Sequence, residues 1–144
     1  MNIDIVLKHG AKTPEYKSGE AGALDCYAHL EENSAGIQIE PHACAVVPLG
    51  FAVAIPTGFV GRLLGRSGLA SKNIRVHPGL IDSDYRGEVC AVVYNDSNAD
   101  LLIEQHDRIC QFYVAQKHYI EWNVVDKLDD TERGAGGFGH TGGY

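Results

Sequence analysis

Short apolar runs, separated by Gly, Pro, Asn or Asp, constrain the fold of this chain more than any other feature. Five of them alternate in polarity or are rich in β-branched residues: IDIVL at 3–7, ACAVVPLGFAVAIP at 43–56, GFVGRLL at 58–64, GEVCAVVYN at 87–95 and ICQFYVAQ at 109–116. A period of two with frequent turn residues is typical of strands in a sandwich or barrel. Only SGLASK at 67–72 has helical character, with Ser67 as a candidate N-cap. The sequence therefore predicts an all-β domain with one short helix.

Size and charge narrow the class of protein. The 144 residues are enough for one domain with a real core. A formal net charge of −7 disfavours nucleic acid or an anionic membrane as partner. The N-terminal stretch MNIDIVLKHGAKTPEY lacks the basic and apolar regions of a signal peptide, and no apolar run is long enough to span a bilayer. We expect a cytoplasmic location, with a nuclear, organellar or viral origin left open.

The cysteines predict a reducing compartment. Cys26, Cys44, Cys90 and Cys110 have mostly apolar neighbours and form no C-x-x-C motif, so we expect buried free thiols. The seven histidines are scattered along the chain, and we expect no zinc site.

Polar residues that a plain β-domain would not require occur in four internal segments. GRSGLA at 65–70 brings a guanidinium, a hydroxyl and free N–H groups to a helix start, which suits an anion, although an ordinary capped helix is the simpler interpretation. AGALDCYA at 21–28 carries Asp25, either a buried paired carboxylate or a functional one. DRICQFYV at 107–114 carries Arg108, which we expect to pair with an aspartate, and Gln111 among apolar neighbours.

The densest of the four segments is HPGLIDSDYRGE at 77–88. Its D-x-D-x-R-G core approaches a calcium loop, but Arg86 and Val93 stand where ligands are needed, so calcium is rejected. Two carboxylates and a tyrosine could supply a general base and a flat wall for a ligand. A hairpin whose charges face water is the alternative.

The C-terminal stretch RGAGGFGHTGGY has the composition of a phosphate loop without its usual context. Gly134 to Thr141 follow the G-x-x-x-x-G-K-[ST] spacing with His140 in place of lysine. No helix can follow before Tyr144, which excludes a P-loop ATPase. Six glycines from Gly134 onward predict a segment without fixed structure until a ligand orders it.

Taken in order, the five segments resemble the five motifs of the trimeric dUTPase family: AGALDCYA, GRSGLA, GLIDSDYRG, RICQF and RGAGGFGHTG, spanning residues 21–142. The resemblance implies a distorted β-barrel of jelly-roll type at 1–132 and a mobile Gly-rich arm at 133–144 that closes over a neighbouring subunit's site. It also implies Mg²⁺-dependent hydrolysis of dUTP to dUMP and pyrophosphate by a homotrimer with shared active sites. That reaction keeps uracil out of DNA and supplies dUMP for dTMP synthesis.

The resemblance also implies a role for each motif residue. Asp82 would orient and deprotonate the attacking water, and Tyr85 would pack on the deoxyribose and exclude a 2′-hydroxyl. The backbone at Gly79 and Ile81 would read uracil. Arg66, Ser67 and Gly68 would hold the phosphates, Gln111 would contact a phosphate or the water, and Arg133 would pair with the γ-phosphate. Phe138 would stack on the base, with Gly139, His140 and Thr141 completing the arm. Asp25 would reach the Mg²⁺ through water, the metal being held mainly by the triphosphate.

Two other functions on the same fold are weaker hypotheses. A dUTP-binding regulatory module without turnover would not need a water-activating carboxylate at Asp82 or the full arm. A dCTP deaminase would need a glutamate in its pocket and usually lacks a tyrosine followed by Arg-Gly, whereas this chain has Asp84-Tyr85-Arg86-Gly87.

Truncation after Glu132 tests the role assigned to the arm. We expect the shortened chain to lose most of its pyrophosphate release from dUTP with Mg²⁺, because the residues that would close over the nucleotide are gone. Release is measured in parallel with the full chain, and equal rates would contradict this role.

Overall fold

The computed structural model describes residues 1–137, which contain eleven strands and one helix. In chain order these elements are β1 (Asp4–Leu7), β2 (Leu24–Tyr27), β3 (Ile37–Ile39), β4 (Cys44–Pro48), β5 (Phe51–Ala54), β6 (Phe59–Gly65), α1 (Ser67–Ala70), β7 (Ile74–Val76), β8 (Gly79–Ile81), β9 (Cys90–Asn95), β10 (Leu101–Ile103) and β11 (Arg108–Gln116). The predicted all-β class with one short helix is confirmed. Within residues 1–137, no helix is long and apolar enough to span a bilayer.

The strands form four antiparallel sheets instead of one closed barrel in this part of the chain. The largest has the order β2-β11-β6-β8, and a second has the order β4-β9-β7. Two-stranded sheets, β1-β5 and β10-β3, complete the set. Strands from all four sheets contribute side chains to one apolar core, in which Phe51 meets Phe112 edge to face at 6.2 Å between ring centroids.

All five apolar runs contain strands, and 43–56 contains two. The chain turns at Leu49 and Gly50 between β4 and β5, where Gly50 has φ +72°. The pattern missed β2, β3, β7, β8 and β10, which have only three or four residues each. So short a segment is stabilised by its neighbours in the sheet and has too few residues to show a period of its own.

The expected capping of α1 was wrong. Ser67 is the first helical residue, and Arg66 occupies the N-cap position with extended backbone and no side-chain capping bond. Arg66 instead directs its guanidinium to the backbone of Arg108, where Nη1 donates to the carbonyl oxygen at 3.0 Å. The Arg66 side chain therefore contacts another strand and does not cap the helix.

The segment after β8 is also not a hairpin. β8 pairs with β6, whereas β9 pairs with β4 and β7, so residues 82–89 cross from the largest sheet to another. The sequence pattern showed a strand at 87–95 after a turn-rich segment, and it did not show which strands the residues on either side pair with.

The prediction of four buried thiols was half wrong. Cys26 and Cys110 are buried and lie opposite each other on β2 and β11, but Cys44 is exposed and Cys90 is only partly buried. Hydrogen bonding of the Cys26 thiol to the neighbouring Cys110, together with burial, raises the pKa of Cys26, and burial raises the pKa of Cys90. Both thiols therefore stay protonated at neutral pH and are poor nucleophiles.

Gly50 is required by sterics, and Gly10 provides a matched control. Both have positive φ, but a Cβ at Gly50 would lie 2.6 Å from atoms of Ala11 and His29, while a Cβ at Gly10 would meet nothing within 4 Å. We expect Gly50→Ala to lower the free energy of unfolding by about 3 kcal/mol, since backbone strain and overlap add. Gly10→Ala should lower the free energy of unfolding by about 1 kcal/mol, because only the strain of the positive φ contributes there. Denaturant titration measures both, and equal losses would contradict the steric argument.

Candidate active site

A buried carboxylate organises the first group of polar side chains. Asp25 is only 4% exposed and accepts hydrogen bonds from Gln111 Nε2 at 3.1 Å and Arg108 Nη1 at 3.2 Å. The Nε of Arg66 lies 3.7 Å from Asp25 Oδ2. We call Asp25, Arg66, Arg108 and Gln111 the Asp25 cluster. The pairing expected of Arg108 with an aspartate is confirmed.

The register of the largest sheet brings this cluster together. Gln111 on β11 lies directly opposite Asp25 on β2. The backbone N–H and C=O of Asp25 bond instead to Glu15, at 2.9 and 3.2 Å. Asp25 and Gln111 therefore form a non-hydrogen-bonded pair, in which opposed side chains approach most closely. An irregularity between Arg108 and Cys110 shifts the register and turns the Arg108 side chain toward the same carboxylate.

The cluster is suited to an anion. Two guanidinium groups share one carboxylate, so the cluster carries excess positive charge in a chain whose formal net charge is −7. Each guanidinium has five N–H donors. The bonds to Asp25 and to the backbone use only a few of the donors of Arg66 and Arg108. Because the side chain of Arg108 is about half exposed, at 48%, these donors can meet a ligand from solvent.

Ser67 and Gly68 follow Arg66 in the first turn of α1 and are exposed. A Cβ at Gly68 would meet nothing within 4 Å, so packing within the chain does not require glycine there. The missing side chain instead leaves the backbone open to close approach by a ligand.

A second group of residues lines a cavity of about 290 Å³ between β6, β8 and the start of β9. Four of the predicted site residues lie there: Gly79 and Ile81 on β8, and Asp82 and Tyr85 after it. The remaining lining residues are Leu63, Leu80, Glu88, Val89 and Cys90. The Asp82 side chain is exposed, so it can meet water at the cavity.

Hydrogen bonds fix the tyrosine beside this cavity. The Tyr85 hydroxyl donates to the carbonyl oxygen of Glu88 at 2.9 Å, and its N–H donates to the carbonyl of Asp82 at 3.1 Å. The ring lies over Gly87, where a Cβ would fall 2.4 Å from the Tyr85 hydroxyl oxygen. Arg86 stabilises the turn by donating to the carbonyl of Ser83 at 2.8 Å. Glycine at 87 is therefore what allows the ring to fold back.

The Asp25 cluster and the cavity are separate within one chain. β2 and β8 are the two outer strands of the largest sheet, with β11 and β6 between them. Three strand spacings correspond to about 14 Å. The sheet thus sets Asp25 apart from Gly79 and Ile81. None of the four cluster residues lines the cavity, although Arg66 follows β6, the strand next to β8.

Of the predicted arm residues, Arg133 is the one that the structure describes. Arg133 is exposed and its Nε donates to the carbonyl of Gly136 at 2.8 Å. Phe138, Gly139, His140 and Thr141 lie outside the described residues.

The sequence interpretation missed Glu88 and Cys90, which line the cavity, and gave Arg108 only a structural role. Glu88 directly follows the Tyr-Arg-Gly stretch, so its place next to the candidate tyrosine was a usable signal. Cys90 offered none, because its place depends on how β9 packs beside β8.

The profile of the dUTPase family matches residues 10–142. The chain belongs to the dUTPase family. The deoxyuridine 5′-triphosphate nucleotidohydrolase of Treponema denticola is 43% identical over 146 residues and 99% of each chain is covered. Its counterpart in Fusobacterium nucleatum is 38% identical, with 99% of this chain and 97% of the relative covered. The dUTPase of Staphylococcus bacteriophage 80alpha, solved with dUPNHPP, is 25% identical with a TM-score of 0.87 over 98% of both chains.

Family membership and fold likeness agree with the motif order in the sequence. The dUTPase profile covers the segments that carry both the Asp25 cluster and the cavity. The likeness to the phage dUTPase extends over the whole fold, including the largest sheet that holds the two groups apart.

Asp25→Asn tests whether the buried charge holds the cluster. We expect the free energy of unfolding to fall by about 2 kcal/mol, because a neutral amide leaves two guanidinium groups without their counter-charge. Partial exposure of the arginines limits the loss. Asp96→Asn is the matched control, since Asp96 also pairs with an arginine, Arg75 at 3.0 Å, but on the surface. Denaturant titration should show a loss under about 1 kcal/mol there, and similar losses at both sites would refute a special role for Asp25.

Proposed function

We propose that this chain hydrolyses dUTP to dUMP and pyrophosphate by attack of water on the α-phosphorus. Membership of the dUTPase family supports the reaction class. The observation that carries the proposal is that the fold presents two different groups, a cationic cluster suited to a triphosphate and a cavity suited to a nucleoside.

The cavity can read a nucleobase through its backbone. β8 is an outer strand of its sheet and pairs only with β6, so the N–H and C=O groups on its other edge have no strand partner within residues 1–137. Those of Gly79 and Ile81 would match the donor and acceptor pattern of uracil. A cytosine edge would leave buried polar groups unpaired, and such a mismatch is strongly rejected.

A base bound at β8 would determine where the sugar and the phosphates lie. Tyr85 would pack on the deoxyribose and leave no room for a 2′-hydroxyl. Arg66 would donate its unused N–H groups to the phosphate oxygens, and Ser67 and Gly68 would add a hydroxyl and open backbone. Gln111, already oriented by Asp25, would contact a phosphate or the attacking water.

Asp82 is the proposed general base. Its exposed carboxylate borders the cavity, where it would accept a proton from the attacking water. The new bond forms between the water oxygen and the α-phosphorus, and the bond from the α-phosphorus to the bridging oxygen breaks. Pyrophosphate leaves with that electron pair, and the cationic side chains stabilise its developing charge.

A homotrimer with shared sites would unite the two groups. Within one chain no residue of the cluster lines the cavity, and Asp25 lies three strands away from β8, so a complete site would need the cluster of one copy beside the cavity of another. An exposed apolar segment supports self-association: its large side chains are mostly more than half exposed, namely Tyr119, Ile120, Trp122, Val124, Val125 and Leu128. The arm from Arg133 onward would then close over a neighbouring subunit's nucleotide, with Phe138 on the base and Gly139, His140 and Thr141 beside the phosphates.

The chain's residues fit a Mg²⁺ that arrives with the triphosphate. No group of three or more His, Cys, Asp or Glu side chains among residues 1–137 could form a metal cage. Both oxygens of Asp25 are already engaged by Arg108 and Gln111, which leaves contact through water as its role toward the metal. When bound, Mg²⁺ would neutralise charge on the departing pyrophosphate.

A cytoplasmic location would suit the chemistry of the chain. All four cysteines are free thiols, including the exposed Cys44, as is usual in reducing compartments.

Asp82→Asn tests the reaction and its base together. Pyrophosphate release with Mg²⁺ is measured from dUTP, dCTP, dTTP and UTP, and we expect release by the unmodified chain from dUTP alone. Asp82→Asn should lower kcat for dUTP by at least about 100-fold, because an amide does not accept the proton, and should leave KM within a few-fold. Asp84→Asn is the matched control, an exposed carboxylate two residues away that does not line the cavity.

This experiment can refute the proposed reaction and the proposed base separately. Lack of release from dUTP by the unmodified chain would refute the proposed reaction. Full activity in Asp82→Asn, or an equal loss in Asp84→Asn, would leave the reaction and refute the base.

A further inference from the structure

Three residues contact one another in a closed set: Lys8 directly after β1, Gly50 in the β4–β5 turn, and Glu88, whose carbonyl binds Tyr85. The Glu88 carboxylate accepts from the Gly50 N–H at 3.1 Å and from Lys8 Nζ at 2.5 Å. The N–H of Lys8 in turn donates to the Gly50 carbonyl at 2.8 Å. We call these three residues the Lys8–Gly50–Glu88 triangle. Hydrogen bonding to Glu88 raises the pKa of Lys8, so the lysine remains charged and paired across the neutral range.

The triangle bears directly on Tyr85. The Tyr85 hydroxyl donates to the carbonyl oxygen of Glu88, while the N–H of the same peptide unit, on Val89, donates to the Phe51 carbonyl at 2.8 Å. In a trans peptide these two groups point in opposite directions, so the bond to Phe51 aims the Glu88 carbonyl at the tyrosine. The position of the ring therefore depends on that of the 88–89 peptide.

Gly50 is what makes the triangle rigid. Ala11 and His29 crowd it, and the residues on either side of it, Leu49 and Phe51, supply the backbone partners of Val89. If the Glu88 carboxylate were removed, the buried Gly50 N–H would lose the acceptor it has in the structure. A buried donor without an acceptor forces its segment to shift, and here that segment holds the 88–89 peptide.

We propose that Glu88 is a positioning residue for sugar discrimination: its carboxylate, bonded to the buried Gly50 N–H, holds the peptide whose carbonyl orients Tyr85 against the deoxyribose. The proposal rests on the function proposed above and adds a determinant outside the residues that touch substrate. Removal of the carboxylate lets the ring move, and a substrate with a 2′-hydroxyl then gains access.

The test compares kcat/KM for dUTP with kcat/KM for UTP, with Mg²⁺, in the full chain. We expect Glu88→Ala to lower this selectivity ratio about tenfold, mainly through improved use of UTP. Glu88→Gln keeps an acceptor for Gly50 and should stay within about threefold, as should Lys8→Met, which removes only an exposed ion partner. Asp96→Asn, a surface carboxylate paired with Arg75, should leave the ratio unchanged.

A double-mutant cycle with Tyr85→Phe tests whether Glu88 acts through the hydroxyl. If it does, the losses of dUTP-over-UTP selectivity in Tyr85→Phe and in Glu88→Ala are not additive in the double variant. Should Glu88→Ala fail to fold, Glu88→Asp replaces it, since a carboxylate one methylene shorter keeps the charge but does not reach Gly50. An unchanged ratio, additive losses, or an equal fall in Glu88→Gln would each overturn the proposal.

The unmodified chain separates this inference from the function beneath it. No turnover of dUTP by the unmodified chain would overturn the proposed function and the inference with it. Normal turnover with an unchanged ratio in the folded Glu88 variants would overturn the inference alone.

Discussion

One buried carboxylate holds together the part of the molecule on which its chemistry depends. Asp25 receives Gln111 and Arg108 from β11 and faces Arg66 from the end of β6, so a single side chain ties three strands of the largest sheet together. An unpaired charge at this depth would be strongly destabilising, and the arginines would repel one another without it. The same contacts leave other N–H groups of both arginines available, which supports the proposal that Arg66 binds phosphate.

The order of strands in that sheet sets Asp25 and the cavity apart. β2 and β8 are its two outer strands, and none of the cluster residues lines the cavity within the chain. The same outer position of β8 leaves one backbone edge without a strand partner within residues 1–137, an arrangement that a central strand would not allow. The separation of the two groups and the open edge of β8 are thus two consequences of one topology.

How much the sequence predicted depended on the length of each signal. The runs that became β6, β9 and β11 were long enough to show a period, and the order of five polar segments was enough to identify the family. The pattern missed five short strands, β2, β3, β7, β8 and β10, because their hydrogen-bonding partners stabilise them and no apolar run marks them. Ser67 was predicted as the cap because a hydroxyl at a helix start is the usual local cap. The structure instead places Arg66 at the N-cap, and the side chain of Arg66 contacts the carbonyl of Arg108 on a distant strand.

The sequence by itself determined the fold class, the family and the kinds of side chain available for chemistry, because strand periodicity and motif order are properties of the chain read in one dimension. The tertiary structure alone decided that residues 82–89 connect two sheets instead of closing a hairpin. It also decided that Arg108 pairs with Asp25 and that Glu88 accepts a hydrogen bond from Gly50. Those facts depend on register and strand order, which join residues as far apart as 25 and 108. No local pattern encodes such a pairing, since its free energy arises only when the whole sheet assembles.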